Sequence, residues 1–78
     1  MREPKVNGDD VRAILEKHIE RYDHMPRGEV VEVLAERAGI STRTVYRILQ
    51  GSRDWLDLDQ ADRLLIAADS SIQDVEVK

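Results

Sequence analysis

Apolar and polar residues recur with helical spacing over most of this chain. In residues 9–22 the large apolar side chains recur every three or four positions, at Val11, at Ile14 and Leu15, at Ile19 and at Tyr22. This spacing puts them on one face of an amphipathic helix, which Asp9 or Asp10 is predicted to cap. Pro26 cannot continue a helix, so residues 24–28 are predicted to form a connector.

The next two amphipathic segments, residues 29–38 and 42–50, are separated by a turn of only three residues. Gly39 stands where the first segment must stop, in a turn that favours a left-handed backbone. Ser41 is a suitable N-cap for the second segment. One buried seam is predicted between the segments, formed by Leu34, Ala35, Ala38, Ile40, Val45, Ile48 and Leu49. The pattern predicts two short helices crossing at a tight turn, a helix-turn-helix.

A fourth helix is predicted over residues 57–69, with Asp57 and Gln60 forming its N-terminal cap. Its inward residues are Leu58, Ala61, Leu64 and Leu65. Residues 1–8 are predicted to be a disordered leader, and residues 73–78 a tail that adds a short turn or pairs as an edge strand. The expected fold is an all-α, compact bundle of four to five short helices, with the domain spanning residues 9–72.

Composition excludes several classes of protein. The chain has 78 residues and no cysteine, which excludes disulfides and thiolate metal sites. There is no signal-peptide pattern and no apolar run near the roughly 20 residues that span a bilayer, so a cytoplasmic protein is expected. His18 and His24 lack the spacing of metal ligands and are predicted to be surface residues. No arrangement of nucleophile and base is present, so neither catalysis nor a cofactor or metal is expected.

Charge is distributed unevenly along the chain. The net charge is −4 and the pI about 5.1, whereas domains that bind nucleic acid are usually basic. Residues 27–53, however, carry five basic and three acidic side chains, while residues 54–78 carry two basic and seven acidic ones. The helix-turn-helix segment is therefore locally positive, although non-specific affinity for a polyanion should be weak.

Three stretches of the sequence carry a resemblance to a known family: LAERAGIS at residues 34–41, T-V-Y-R-I-x-x-G at 44–51, and DLDQADRLLIAAD at 57–69. In these the chain resembles the lambda repressor-like family, the Cro, repressor and Xre group of phage and bacterial regulators. One position departs from that pattern, because Val31 stands where the family often has a phosphate-contacting glutamine. The resemblance implies sequence-specific binding of double-stranded DNA by a transcriptional regulator in a bacterial cytoplasm, associated with the nucleoid.

The same resemblance, together with the helical phase, assigns roles to individual residues. The helix over residues 42–50 would read the major groove, with Thr42, Arg43, Tyr46 and Arg47 at base edges, although Arg47 could also meet a phosphate. Phosphate contacts are expected from Arg27, Ser41, Thr44, Gln50, Ser52 and Arg53. Trp55 is predicted to pack over the third and fourth helices.

The expected partner is duplex DNA, bound by a monomer or weak homodimer that pairs on a palindromic site. The tail residues Ile72, Val75 and Val77 and the exposed part of the fourth helix are the candidate dimer contacts. No membrane or small-molecule ligand is expected. Two alternatives stay open: a protein-binding module, such as an antitoxin or assembly adaptor, and an architectural accessory factor in phage excision.

Overall fold

Helices dominate the structure, a computed structural model that describes residues 4–52 and 54–77. The elements in that part of the chain are β1 (Lys5–Asn7), α1 (Gly8–Arg21), α2 (Arg27–Ala38), α3 (Thr42–Leu49), β2 (Trp55–Asp57), α4 (Leu58–Ala67) and a 3₁₀ turn (Ile72–Asp74). The predicted helical bundle is confirmed, and a small antiparallel sheet is added to it. None of the helices within these ranges has the length and apolarity to cross a membrane.

The core lies where the four α-helices meet, and its residues are largely those with inward-facing helical phase. Val11 and Leu15 of α1, Leu34 of α2 and Val45 of α3 are completely buried, and Leu64 of α4 joins them. Of the other predicted core positions, Ile14, Tyr22, Ile40 and Leu58 are only partly buried at the edge of this cluster. The apolar periodicity therefore predicted most of the interior, because each helix buries a single stripe.

Two glycines end α2 and α3 with the same left-handed turn. Gly39 has φ +71° and Gly51 has φ +74°. After α2, the N–H groups of Gly39 and Ile40 donate to the carbonyls of Glu36 and Ala35. The N–H groups of Gly51 and Ser52 repeat the arrangement after α3. These bonds satisfy carbonyls that a helix end leaves free, so the C-terminal ends of α2 and α3 are both capped.

The beginnings of the helices follow the predicted capping at α3 and α4 but not at α1. Ser41 caps α3 and Asp57 caps α4, each through its side-chain oxygen, but Gln60, predicted to complete the cap of α4, makes no hydrogen bond in it with a described residue. At α1 the predicted caps, Asp9 and Asp10, are wrong, because the Oδ1 of Asn7 accepts from both of their N–H groups at 2.9 and 3.2 Å. Helix α2 follows Pro26 and has no side-chain cap.

The sheet corrects the prediction for residues 5–8 of the leader. Val6 pairs with Leu56 in an antiparallel register, and both side chains are buried. Gly8 is already helical, and residues 1–3 lie outside the described part of the chain. The tail contains both predicted features, a turn at residues 72–74 and a bridge from Val77 to Val6. Val6 lies far along the chain from both Leu56 and Val77, so local sequence could not identify which residues pair.

Candidate nucleic-acid interface

One face of α3 is exposed along its whole length and is called here the α3 surface. It consists of Thr42, Arg43, Tyr46, Arg47 and Gln50, the last of these being the C-terminal cap of the helix. The opposite face is buried through Val45, Ile48 and Leu49. Helix α3 contains two arginines and no acidic residue. The four residues predicted to read bases therefore share one surface that is locally positive.

The start of α2 adjoins the α3 surface at Tyr46. A Cβ atom added at Gly28 would lie 3.6 Å from the Tyr46 hydroxyl, so this oxygen is close to the first turn of α2. Among the α-helices of residues 4–52 and 54–77, α2 is the one without a side-chain cap. The first turn of α2, where a helix leaves N–H groups without intrahelical partners, therefore lies next to the α3 surface.

Three of the predicted phosphate ligands have hydroxyls that already make hydrogen bonds at the ends of α3. Ser41 Oγ accepts from the N–H of Thr44 at 3.2 Å and lies 2.9 Å from the Thr44 hydroxyl. Ser52 Oγ donates to the carbonyl of Arg47 at 2.8 Å. These side chains define the helix ends in the free protein. Arg53, also predicted to contact phosphate, lies outside the described residues.

Arg27, another predicted phosphate ligand, is engaged by a carboxylate. Its two terminal nitrogens donate to the two oxygens of Glu16 at 2.7 and 3.2 Å, and both side chains remain partly exposed. The hydrogen bond from Arg27 lowers the pKa of Glu16, and the same bond raises the pKa of Arg27. The pair links α1 to the first residue of α2, at the edge of the α3 surface.

Arg12 is a cation near α3 that the sequence did not single out. A Cβ atom added at Gly51 would lie 2.7 Å from its Nη1, so the guanidinium lies over the turn that ends α3. Arg12 also forms a 3.5 Å ion pair with Asp9 one turn earlier on α1. The helical phase places Arg12 on the polar face of α1, but its proximity to α3 follows from the packing of α1 against α3.

His18 was predicted to lie on the surface, and this is wrong: it is only 6% exposed. Its Nδ1 has no hydrogen-bond partner among the residues that the structure describes. Burial lowers the pKa of His18, and the nearby charge of Asp69 partly opposes that shift. The ring borders a cavity of about 190 Å³ whose lining also includes Tyr22, Met25 and Val33. His24, by contrast, is exposed as predicted.

Comparison of the chain with protein-family models, curated proteins and solved structures finds no match. The resemblance to the lambda repressor-like family therefore remains a hypothesis carried by the residues themselves. The geometry of the α3 surface and of the start of α2 is the basis for the function proposed below.

Proposed function

We propose that this protein binds double-stranded DNA sequence-specifically as a repressor-type transcriptional regulator, with α3 in the major groove. The observation that carries the proposal is the meeting of an acid-free helix surface with an uncapped helix start, at Tyr46 and Gly28. A helix lying in the major groove reads bases, and a neighbouring helix N-terminus can bind a phosphate of the flanking backbone. The two features lie on one side of the molecule, as simultaneous contact with one duplex requires.

Base reading is assigned to the side chains on the outer face of α3. The helix has eight residues and is about 12 Å long, which is comparable to the width of the major groove. Arg43, near its N-terminus, can donate two hydrogen bonds to a guanine edge. Thr42 and Tyr46 offer hydroxyl and aromatic contacts, and Arg47 can reach either a base or the backbone. All four are exposed.

Phosphate binding is assigned mainly to the start of α2. No described side chain caps this helix start, and the Arg27 side chain adds a positive charge there. Ser41, Thr44 and Ser52 can meet phosphates only by sharing hydroxyls that already cap α3, so we expect smaller contributions from them. Gln50, which is exposed at the end of α3, and Arg53, three residues later in the sequence, are the other two proposed phosphate contacts.

The overall charge makes the expected affinity strongly dependent on the few cations at the interface. The net charge is −4, and residues 54–78, which include α4, carry seven acidic side chains. Few phosphates can be neutralised, so non-specific binding should be weak and lost at moderate salt. Base contacts would then supply an unusually large share of the binding energy.

A second copy of the chain would bind a second half-site on the DNA. Two of the predicted dimer contacts, Ile72 and Val75, are partly buried against the protein's own core, which leaves Val77 and Ile66 as exposed apolar residues. This is too little apolar surface for a stable free dimer. We therefore propose a monomer in solution that pairs on a palindromic site, with half-sites about 34 Å apart.

Selection from random duplexes, followed by titration of the selected duplex over a range of salt concentrations, tests the proposal. We expect an enriched motif, tighter binding to it than to a scrambled duplex, and an affinity that falls linearly on a log–log plot against salt. Paired half-sites in the motif would support dimerisation on DNA. No enrichment together with no salt-dependent retention on duplex DNA would overturn the proposed function.

A second candidate function is that of a protein-binding module. Ile66 on α4 is 63% exposed, and the chain is acidic overall, which suits a basic protein partner better than a polyanion. The same titration separates the two functions. A module of this kind should show no preference among duplexes, and replacement of Arg43 should leave its partner binding unchanged.

A further inference from the structure

The ion pair between Glu16 and Arg27 occupies the edge of the surface proposed to face DNA. Both guanidinium nitrogens of the Arg27 fork are used, at 2.7 and 3.2 Å from the carboxylate oxygens. The pair joins residues eleven positions apart on different helices. It is partly exposed, with 50% of the Arg27 side chain and 39% of the Glu16 side chain accessible to solvent. An anion from outside the protein can therefore reach Arg27.

The bound carboxylate has the shape of the group that Arg27 is proposed to bind on DNA. An arginine fork takes two oxygens of a carboxylate or of a phosphate in the same planar, bidentate manner. Arg27 is also the first residue of helix α2, whose start has no side-chain cap. Glu16 thus occupies the guanidinium that a phosphate approaching the start of α2 would bind.

We propose that Glu16 is an internal competitor for DNA phosphate at Arg27. The inference rests on the proposed function and adds a control of affinity to it. In the free protein Glu16 holds the guanidinium, and on binding a backbone phosphate takes its place. The displaced carboxylate keeps a cation nearby, because Arg12 lies one helical turn before it on α1 and already attracts it electrostatically.

The exchange weakens binding to every sequence by about the same factor. A DNA phosphate can bind Arg27 only after Glu16 has released it. Because Glu16 already neutralises Arg27, the net release of counterions at this position is small. Base reading by the α3 surface is untouched, since Glu16 lies on α1. Glu16 therefore lowers the affinity for specific and non-specific duplexes alike and leaves the ratio between them unchanged.

Replacement of Glu16 by glutamine tests the inference directly. Glu16→Gln removes the charge and keeps the size, and we expect the affinity for selected and scrambled duplexes alike to rise about three- to tenfold at low salt, with the salt slope steeper by about one. Glu20→Gln is the matched control, because Glu20 is exposed on the same helix and makes no ion pair with any described residue. It changes the net charge equally and should have a clearly smaller effect. Thermal melts verify that each variant is folded at the assay temperature.

A double-substitution cycle with Arg27→Ala separates competition from simple repulsion. If Glu16 acts through Arg27, then Glu16→Gln in the Arg27→Ala background should change affinity no more than Glu20→Gln does. An equal gain in both backgrounds, or equal effects of Glu16→Gln and Glu20→Gln, would overturn this inference while duplex binding by the unmodified chain still supports the proposed function. Absence of DNA binding by every variant would overturn both.

Discussion

Asn7 and Glu76 are joined by two hydrogen bonds although they lie near opposite ends of the chain. The backbone N–H of Asn7 donates to the carbonyl of Glu76 at 2.8 Å, and the Asn7 Nδ2 donates to the Glu76 carboxylate at 3.1 Å. The Oδ1 of the same asparagine caps α1. A single side chain therefore connects β1, the first helix and the tail.

Substitution of Asn7 should lower stability through two separable contacts. Asn7→Ala removes the cap and the side-chain hydrogen bond to Glu76 but keeps the backbone one. We expect a loss of about 1–2 kcal/mol in the free energy of unfolding. Asn7→Asp keeps the capping oxygen but puts a negative charge beside Glu76, so it should restore only part of that loss. Urea denaturation of the three proteins measures the difference. A neutral Asn7→Ala would show that the cap and the tail contact contribute nothing.

Gly39 should resist substitution for a conformational reason. Its φ is +71°, and an added Cβ would approach only the flexible end of Arg63, at 3.9 Å. The strain is therefore in the backbone, and Gly39→Val should cost roughly 1–3 kcal/mol. Gly39→Asn should cost less, since asparagine tolerates the left-handed region better than β-branched residues do. Equal melting temperatures for the valine variant and the parent chain would contradict this explanation.

His18 should make the protein less stable in mild acid. Its pKa is lowered in the folded state by burial, so the unfolded chain binds more protons as the pH falls through about 6.5. Stability is then complete above that pH and declines below it until the folded-state pKa has been passed. His18→Gln keeps a polar group of similar size and removes the titration. As the pH is lowered from 8 to 5, the urea midpoint should fall for the parent chain and stay constant for this variant.

Arg43 should specify sequence if the proposed function is correct. Arg43→Ala is expected to cost on the order of 1–3 kcal/mol on the selected duplex and to reduce discrimination at one base pair. Arg37→Ala is the control, because Arg37 lines the cavity beside His18 and is not part of the α3 surface. Binding titrations on selected and scrambled duplexes measure both. If Arg43→Ala weakens both duplexes equally, Arg43 holds the backbone and does not read a base.

Local chemistry by itself determined the helices, most of the core and the exposed face of α3. Apolar spacing, the caps at Ser41 and Asp57, and the left-handed turn at Gly39 each depend on residues within a few positions of one another. Such features are readable from sequence because a helix satisfies its hydrogen bonds and selects its buried stripe locally. The grouping of Arg43, Tyr46 and Arg47 on one surface is a consequence of the same periodicity.

Only the tertiary structure decided which distant groups meet. Val6 pairs with Leu56, Glu16 holds Arg27, Arg12 lies over Gly51, and His18 is buried beside the end of α4. None of these residues carries a local signal of its partner, since each contact depends on how whole helices pack. Short strands such as β1 and β2 gain their stability from pairing and from burial against the core. A strand of three residues therefore cannot be predicted from its own sequence. If Arg27 binds phosphate as proposed, its availability likewise depends on Glu16, a residue on another helix.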